Sequence, residues 1–522
     1  MRVLWYGAAH SARRAEHPGG PMNLRVKSVE ASIADSGDTE RSLKRSLGTW
    51  DLALMGIAVA VGAGIFSVGA QAAANFAGPS VIISFILAAV TCALAIMCYA
   101  EFASTVPVAG SAYTFTYATM GELLAWIIGW DLILEMFTAA AVIAKYWGVY
   151  LGEALLALGV PFQPTVDIAG ISVSWPAFLI VALFTVLLVA GTKLTARVGA
   201  VFTIIKVAIV LFVIVVGFFF VKAANYVPFI PEAVPTEGGA SDAWSQSLFS
   251  WATGAAPAQY GIFGLLAAAS LVFFAFIGFD VVATSAEEVR DPQKRLPRGI
   301  FLGLGIVTAL YVLVSIVMTG MVSYTELAAE ETPSLATAFR LVGQDWASAV
   351  ISVGALAGLT TVIMVLLLGL SRIVFALSRD GLLPRWLSKT TEHTKTPARI
   401  QIIGGSIVAF VAAFTDVGLL EEMINIGTLS AFVLVSLGIV VLRRTRPDLP
   451  RGFRVPWSPV LPIISAVLCF WLMLNLTTLT WVRFLVWLAI GIVVYLIYGR
   501  RRSRIGLDSV TEVELPTPQG AP

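Results

Sequence analysis

The chain has 522 residues, of which 58% are hydrophobic and 13% charged, and its mean hydropathy is +0.87. Because soluble globular proteins average about 25% charged residues, this composition excludes a soluble enzyme and indicates a membrane protein with many spanning helices. The net charge of +2 gives no argument for nucleic-acid binding.

The segment before Asp51 is polar and basic, and it is too charged for a cleavable signal peptide. Residues 1–45 are therefore predicted to form a disordered cytoplasmic tail, in which Met22 is an alternative start to Met1. A single membrane domain is predicted over residues 46–500, followed by a second cytoplasmic tail over 501–522.

About twelve stretches are apolar enough to be spanning helices, which need about 20 residues each. They are residues 51–74, 79–102, 122–150, 175–190, 197–221, 260–285, 299–322, 346–377, 400–415, 419–442, 460–477 and 481–499.

Lysine and arginine residues fall on one side of this topology. Of the 34, 28 lie in the N-terminal segment, in the loops that follow even-numbered spans, and from Arg500 onward. Cytoplasmic loops collect positive charge during insertion, so both termini are predicted to be cytoplasmic and the protein to be a multi-pass protein of the cytoplasmic membrane.

The first span is interrupted by Gly62 and Gly64, each of which costs about 1 kcal/mol relative to alanine in a helix. The sixth span has Gly278 and Asp280 at a similar depth. Irregular backbone is tolerated at membrane depth where it lines a cavity or is buried in protein. Since spans one and six would correspond in two five-helix repeats, the pair indicates a transporter's binding site. Glycines that only allow close helix packing are the alternative.

Such breaks suit a zwitterion. Free amides after Gly62 can hold a carboxylate, and orphan carbonyls before the break in span six can accept from an ammonium.

The third span carries Asp131 and Glu135 on one face. Glu135 lies about 20 Å along the helix from Glu122, well within the membrane. It is a candidate functional acid that could pair with a buried cation, line the path of a cationic side chain, or be protonated and structural.

Lys206 is the only charge between Val198 and Val221. An ammonium near mid-membrane costs roughly 2.5 to 3.5 kcal/mol on insertion scales and usually has a buried partner and a role in moving ions or solute. Transport is therefore the leading hypothesis. A permanently charged lysine that only bridges helices is the alternative, and it would fit a facilitator or an exchanger.

The sequence gives little support for an enzyme, a channel or a metal-binding protein. Gly62-x-Gly64 lacks the third glycine of a dinucleotide fingerprint, and no phosphate-binding loop is present. Two broken helices favour alternating access over a channel. The cysteines, Cys92, Cys98 and Cys469, have no metal-ligand spacing, so neither a metal nor a cofactor is expected.

Several short motifs are more specific than any single glycine pair. They are Gly62-Ala63-Gly64-Ile65-Phe66, Gly129-Trp130-Asp131-Leu132-Ile133-Leu134-Glu135, Ala275-Phe276-Ile277-Gly278-Phe279-Asp280 with Glu287-Glu288-Val289, Ser371-Arg372, Ser378-Arg379-Asp380-Gly381-Leu382-Leu383-Pro384 and Arg443-Arg444-Thr445-Arg446-Pro447. In them the chain resembles a bacterial member of the cationic amino acid transporter family, within the amino acid/polyamine/organocation superfamily, over roughly residues 43–498.

The resemblance implies an all-α, LeuT-like fold with inverted repeats over about 51–221 and 260–442, two extra helices over 460–499, and alternating access. It also implies where the substrate binds. The carboxylate would meet the backbone of Gly62, Ala63 and Gly64, the ammonium would meet the carbonyls of Ala60, Phe274 and Ile277, and Phe276 and Phe279 would form gates or pocket walls.

Lys206 is similar to a fifth-helix lysine that takes the place of a sodium ion in proton-coupled relatives. Its ammonium would then contact first-span carbonyls and an eighth-span hydroxyl, for which Thr360 and Thr361 are the candidates. His10, His17 and His393 lie outside the spans, so no histidine competes for proton coupling.

The segment between spans two and three would be a short helix at the inner gate, with Tyr113 as a gating candidate. A cytoplasmic ion-pair gate or solvated helix ends are the two interpretations of the charges that end spans six and eight, which are Glu287, Glu288, Arg290, Asp291, Arg372 and Arg379.

The resemblance thus predicts proton-coupled amino acid symport, with an amino acid or polyamine exchanger or facilitator as the alternative. The expected partners are an amino acid, protons and the lipid bilayer. Glu135 and Asp280 are the intramembrane acids near the right depth, but nothing forces a cationic pocket, so cationic and neutral substrates both stay open. The sequence indicates neither an oligomeric state nor an accessory subunit.

Overall fold

The computed structural model describes residues 47–105, 111–168, 171–191, 196–235, 244–254, 258–279, 282, 289–391 and 396–503. These residues are mostly helical, which confirms the predicted class. Asp280, Glu287, Glu288, the three histidines, the tail over 1–45 and the tail from 504 lie outside the described residues.

The helices are numbered here in chain order. In the first half they are α1 Thr49–Ala60, α2 (the turns Gly64–Val68, Gly69–Ala72 and Ala73–Ala77), α3 Val81–Thr105, α4 Ser111–Thr119, α5 Glu122–Ala157, α6 Trp175–Val189, α7 Ala196–Phe218 and α8 Leu248–Thr253. In the second half they are α9 Gly261–Val272, which continues as a 3-10 turn Phe273–Phe276, α10 Pro292–Met321, α11 Tyr324–Ala328, α12 Leu335–Leu341, α13 Asp345–Arg379, α14 Ala398–Phe414, α15 Val417–Thr445, α16 Val460–Leu474 and α17 Thr478–Val494, which continues through Tyr495–Gly499 and Arg500–Arg502.

Seven helical stretches of the described chain are long and apolar enough to cross a membrane, and five shorter apolar helices coincide with other predicted spans. The number of twelve crossings stays a prediction. The third span was predicted too short, because α5 continues to Ala157. Its outer turns are covered where the chain returns, so that a Cβ on Gly152 would lie 3.4 Å from the Phe162 ring.

Helix ends follow ordinary capping chemistry. The side chains of Ser247, Ser334, Asp416 and Thr477 accept from backbone amides in the first turns of α8, α12, α15 and α17. Gly121, at φ 96°, turns the chain into α5 directly after α4. The short helix α4 is therefore held beside the first turns of α5.

Two small antiparallel pairs of strands lie between helices. Strand β1, Val166–Ile168, pairs with β2, Ile171–Val173, between α5 and α6. Strand β3, Val234–Pro235, pairs with β4, Ala258–Gln259, in the segment before α9. Both pairs lie in loops that the predicted topology places outside the cell.

The helix contacts show an internal pattern. Helix α3 packs against α9 and α10 packs against α1; α7 packs against α13 and α15 packs against α5. In terms of predicted spans, these are the pairs 2–6 and 7–1, and the pairs 5–8 and 10–3. Adding five to both span numbers of one pair, and starting again from one after ten, gives the other pair, which we call its mate. The pairs 3–8, 2–7 and 4–9 also pack together.

The last helix is fastened to the third span. The Trp126 indole donates to the carbonyl oxygen of Gly491 at 2.8 Å, and the Trp130 indole donates to that of Trp487 at 2.9 Å. The rings of Trp130 and Trp487 stack with centroids 4.6 Å apart. Helix α17 therefore packs along α5, outside the ten-span pattern.

Candidate functional site

The breaks in spans one and six touch each other through their backbones. A Cβ on Gly64 would lie 2.3 Å from the Cα of Ala275, which no residue larger than glycine can satisfy without movement. On the other side of the break, a Cβ on Gly278 would lie 2.3 Å from Val59, and Gly278 also has φ +117°. The two interruptions that the sequence shows thus form one irregular region.

This region has backbone amides and carbonyls that lie outside the hydrogen-bonding pattern of a regular helix. Helix α1 ends at Ala60, and helical turns resume at Gly64, whose first amides have no partner within α2. In span six the Ile277 amide donates to the Phe274 carbonyl at 3.2 Å, and helical geometry ends there. Gly62 faces α13, where a Cβ would still be 3.7 Å from Val362.

Lys206 reaches the first break from α7. Its side chain is 1% exposed, and its Nζ donates to the carbonyl oxygen of Ala58 at 2.7 Å. Its methylene groups pack on α13, where a Cβ on Gly358 would lie 2.9 Å from the Lys206 Cγ. The lysine therefore ties α7 to the last turn of α1 and fits against a glycine of the eighth span.

The two threonines bond elsewhere in the described conformation. The Thr360 hydroxyl donates to the Leu356 carbonyl at 2.7 Å and accepts from the Trp147 indole at 2.9 Å. The Thr361 hydroxyl donates to the Gly358 carbonyl at 2.8 Å. Thr361 lies one helical turn after Gly358, the glycine that contacts Lys206, and its hydroxyl bonds to the carbonyl of that glycine.

Tyr311, which the sequence analysis missed, joins both breaks. From α10 its buried hydroxyl lies 2.6 Å from the Ala60 carbonyl oxygen and 2.9 Å from that of Ala275. Edge-on contacts with Phe85 and Phe276 hold its ring. The signal in the sequence is a phenol near the middle of the seventh span.

The phenylalanines of span six lie at different levels. Phe276 is 1% exposed and packs on Tyr311, with ring centroids 5.3 Å apart. Phe279 packs between α1 and α10, since a Cβ on Gly56 would lie 2.7 Å from its ring and one on Gly303 would lie 3.1 Å from it. Phe276 thus borders the break, and Phe279 wedges the helices beneath it.

The acids of the third span are both buried. Glu135 is 1% exposed on α5, and Asp131 one turn earlier accepts a hydrogen bond from the Ser430 hydroxyl of α15. The structure thus connects Asp131 to the tenth span.

Tyr113 lies near the start of α5 and the end of α13, away from the breaks. Its hydroxyl donates to Asp380 at 2.8 Å and so joins α4 to the end of α13. Burial, with Asp380 as the next cause, raises the pKa of Tyr113 well above its usual value. On the same helix, the Tyr117 hydroxyl donates to Glu122 at 3.2 Å.

In the described part of the chain no cluster of three or more histidine, cysteine, aspartate or glutamate side chains could hold a metal ion. Among the described residues, the groups at the breaks include the backbone amides and carbonyls, the phenol of Tyr311 and the ammonium of Lys206. This set can bind a small zwitterion and move a proton.

Comparison with known proteins identifies the relatives of this arrangement. The family model described as "Amino acid permease" matches residues 47–497. The branched-chain amino acid permease BcaP of Bacillus subtilis (strain 168) is 42% identical over 489 residues, which cover 92% of this chain and 98% of that protein.

Two further relatives differ in their named substrates. The methylthioribose transporter of Bacillus subtilis (strain 168) is 41% identical over 486 residues, covering 92% of this chain and 98% of that protein. Cationic amino acid transporter 4, vacuolar, of Arabidopsis thaliana is 35% identical over 431 residues, covering 81% of this chain and 68% of that protein.

Proposed function

The chain belongs to the amino acid permease family, and from this premise we propose that it takes up amino acids across the cytoplasmic membrane by proton-coupled symport. Transport would proceed by alternating access around the two breaks, with both termini in the cytoplasm. The observation that carries the proposal is the hydrogen bond from Lys206 to the Ala58 carbonyl at the first break.

An inverted repeat is supported by the pattern of helix contacts. Pairs of spans 2–6 and 5–8 have the mates 7–1 and 10–3. Each of these pairs joins one five-helix unit to the other, as two units related by a two-fold axis would produce. Corresponding spans are five apart in chain order, which is an odd number, so they cross the membrane in opposite directions. The two units would then rock against each other around the irregular region that they share.

The substrate would bind along the backbone of the breaks. The backbone amides of Gly62, Ala63 and Gly64 would donate to a substrate carboxylate at the positive end of α2. Carbonyl oxygens have two lone pairs, so the Ala60 carbonyl that meets Tyr311 can accept a second donor, the substrate ammonium. Both ends of an amino acid are thereby recognised without a charged side chain.

Lys206 would couple the proton. When charged, it makes a charge-assisted bond to the Ala58 carbonyl and holds α1 against α7 and α13. Release of its proton weakens that bond and frees α1 to move. Loss of the proton on one side and its recovery on the other would make the movement of α1 depend on the proton gradient.

Neutral, apolar amino acids are the favoured substrates. The side chains on the described walls of the breaks, such as Val362, Ala275 and Phe276, are apolar. The similarity to the branched-chain permease over nearly its whole length agrees with this. A cationic amino acid is the competing substrate, because the buried acid Glu135 could pair with its side chain.

The test is uptake into proteoliposomes with and without an inward proton gradient, using labelled leucine, isoleucine, arginine, lysine and methylthioribose. We expect gradient-driven accumulation of the branched-chain amino acids. Lys206→Met should abolish accumulation but keep counterflow exchange, since it removes the titrating group and keeps the length of the side chain. Lys222→Met, outside the predicted spans, is the control and should behave as wild type.

Uptake that ignores the gradient in the wild type would contradict symport and identify an exchanger or a facilitator. Accumulation that persists in Lys206→Met would show that the lysine only bridges helices. Accumulation of arginine and lysine instead of leucine would assign a cationic pocket.

A further inference from the structure

A second buried ionisable group lies away from the breaks, near the start of α15. Glu421 is 1% exposed, and its carboxyl accepts a hydrogen bond from the Tyr146 hydroxyl of α5. The Gln71 side chain of α2 also interacts electrostatically with that hydroxyl. A chain of three polar side chains therefore joins α2 to α5 and α15.

Only the Gln71 end of this chain is not fully buried. Tyr146 is buried like Glu421, whereas Gln71 is partly exposed. In the predicted topology α2 and the start of α15 lie on the external side. The outside solution therefore approaches the carboxyl past Gln71, which lies on the segment that alternating access would move.

The charges around Glu421 offer it no counter-ion. The titratable groups that face it are Tyr146 on α5 and the acids Asp416 and Glu422 near the start of its own helix. Asp416 caps α15 and faces Lys145 of α5, while Glu422 is held by the hydroxyls of Thr477 and Thr480. One turn deeper, the Asn425 amide bonds to the Leu271 carbonyl of α9 at 3.3 Å. Within the described chain no lysine or arginine forms an ion pair with Glu421.

A carboxylate buried without a cation takes up a proton rather than stay charged. As a neutral acid, Glu421 can stay enclosed with the Tyr146 hydroxyl as its donor. As an anion it needs water, which a movement of α2 away from α5 would admit. The packing of α2 on α5 therefore requires that Glu421 is protonated. Conversely, Glu421 has to keep its proton for as long as α2 is packed there.

We propose that Glu421 is a second proton-binding residue, which takes its proton from the external solution and must be neutral before α2 can close on α5 and α15. The proposal rests on transport by alternating access, as set out above, but not on the role of Lys206. Protonation of Glu421 by external hydronium leaves a neutral acid and water, and no other reactant is needed.

The experiment is exchange of labelled leucine by intact cells that are preloaded with unlabelled leucine, with external pH raised from about 6 to about 9. Each exchange cycle closes the outer side, so the wild-type rate should fall several-fold as Glu421 loses its proton. Glu421→Gln mimics the neutral acid and should keep the low-pH rate across the whole range. Glu421→Asp keeps a carboxyl and should keep the fall.

The matched control is Glu422→Gln, which removes the neighbouring acid but not the bond to Tyr146, and it should keep the fall in exchange rate as the external pH rises. A wild-type profile in Glu421→Gln would overturn the proposal, and so would a Glu421→Gln protein that is folded and binds leucine but does not exchange it. If Glu421→Gln does not fold, Tyr146→Phe decides, because loss of the phenol must shift the midpoint of the pH profile; an unchanged midpoint would count against the proposal.

The same series in the Lys206→Met background separates the two proposals. The external pH dependence that belongs to Glu421 should survive there, because the lysine is absent. Gradient-driven accumulation in Lys206→Met would contradict the coupling role of the lysine and leave the Glu421 result unaffected.

Discussion

The hydroxyl of Tyr311 lies 2.6 Å from the carbonyl oxygen of Ala60, at the last residue before the first break. The same hydroxyl also lies 2.9 Å from the Ala275 carbonyl of the sixth span. One phenol from the seventh span therefore holds the two interrupted spans at a fixed separation. Its loss should affect the shape of the site more than the stability of the fold.

Tyr311→Phe removes this hydroxyl and keeps the ring that packs on Phe85 and Phe276. We expect KM for leucine to rise several-fold and the free energy of unfolding to fall by only about 1 kcal/mol, the net value of one hydrogen bond. Uptake kinetics and thermal unfolding in detergent measure the two effects.

The control for Tyr311→Phe is Tyr226→Phe. The Tyr226 hydroxyl donates to the Ile316 carbonyl of the same helix, α10, at 2.6 Å, but from a loop outside the breaks. Its KM should stay at the wild-type value. An equal rise in KM for both variants would mean that α10 responds as a whole and that Tyr311 has no special part in the site.

Gly64→Ala tests the contact between the breaks. The new Cβ would lie 2.3 Å from the Cα of Ala275, so the backbones of spans one and six must separate. We expect transport to be abolished and the free energy of unfolding to fall by about 1–3 kcal/mol, as for other overpacked sites. Gly305→Ala on α10, where nothing lies within 4 Å of the new Cβ, should transport normally. Normal transport by Gly64→Ala would refute the close approach.

Tyr113→Phe tests the inner end of the bundle. Without the bond to Asp380, which lies 267 residues away in sequence, α4 is no longer held to α13. We expect efflux of preloaded leucine from proteoliposomes to rise several-fold. Tyr117→Phe removes a bond to Glu122, only five residues along the chain, and should change efflux little. Equal efflux from the two variants would argue against a gate at Tyr113.

The raised pKa of Tyr113 sets the pH dependence of its contribution to stability. The phenol stays neutral in the folded protein at a pH where it ionises in the unfolded chain, near pH 10. Its contribution is therefore fully present below about pH 10 and is lost as the pH rises further towards the folded-state pKa. The alkaline fall in melting temperature should be shallower in Tyr113→Phe than in wild type, and an identical slope would contradict this assignment.

The parts of the site that depend on local chemistry could be predicted from the sequence. The glycines of both breaks, the ammonium of Lys206 and the acid Glu135 are visible because each is costly within an apolar span. The mostly helical class was predicted from the composition and the apolar stretches together with the family resemblance, and it is confirmed.

The parts that could not be predicted depend on partners from distant helices. Tyr311 and Ala60 are 251 residues apart, and Tyr146 and Glu421 are 275 apart, so no local pattern links them. Thr360 and Thr361 show the same limit, since their hydroxyls bond to Leu356 and Gly358 of their own helix. An alcohol in a spanning helix always has that local acceptor available.

Glu101→Ala should damage the fold rather than the site. Glu101 is fully buried on α3 and accepts from Arg443 at 2.8 and 2.6 Å and from the Val455 amide at 2.7 Å. Removing one member of a buried charged pair costs about 3–5 kcal/mol, because the partner keeps its charge without compensation. We expect a large fall in melting temperature and yield, while the protein that does fold keeps the wild-type KM. Asp448→Asn, which breaks the exposed pair with Arg446 at 3.3 Å, should leave both quantities unchanged. A changed KM in folded Glu101→Ala would instead connect this inner cluster to the transport path.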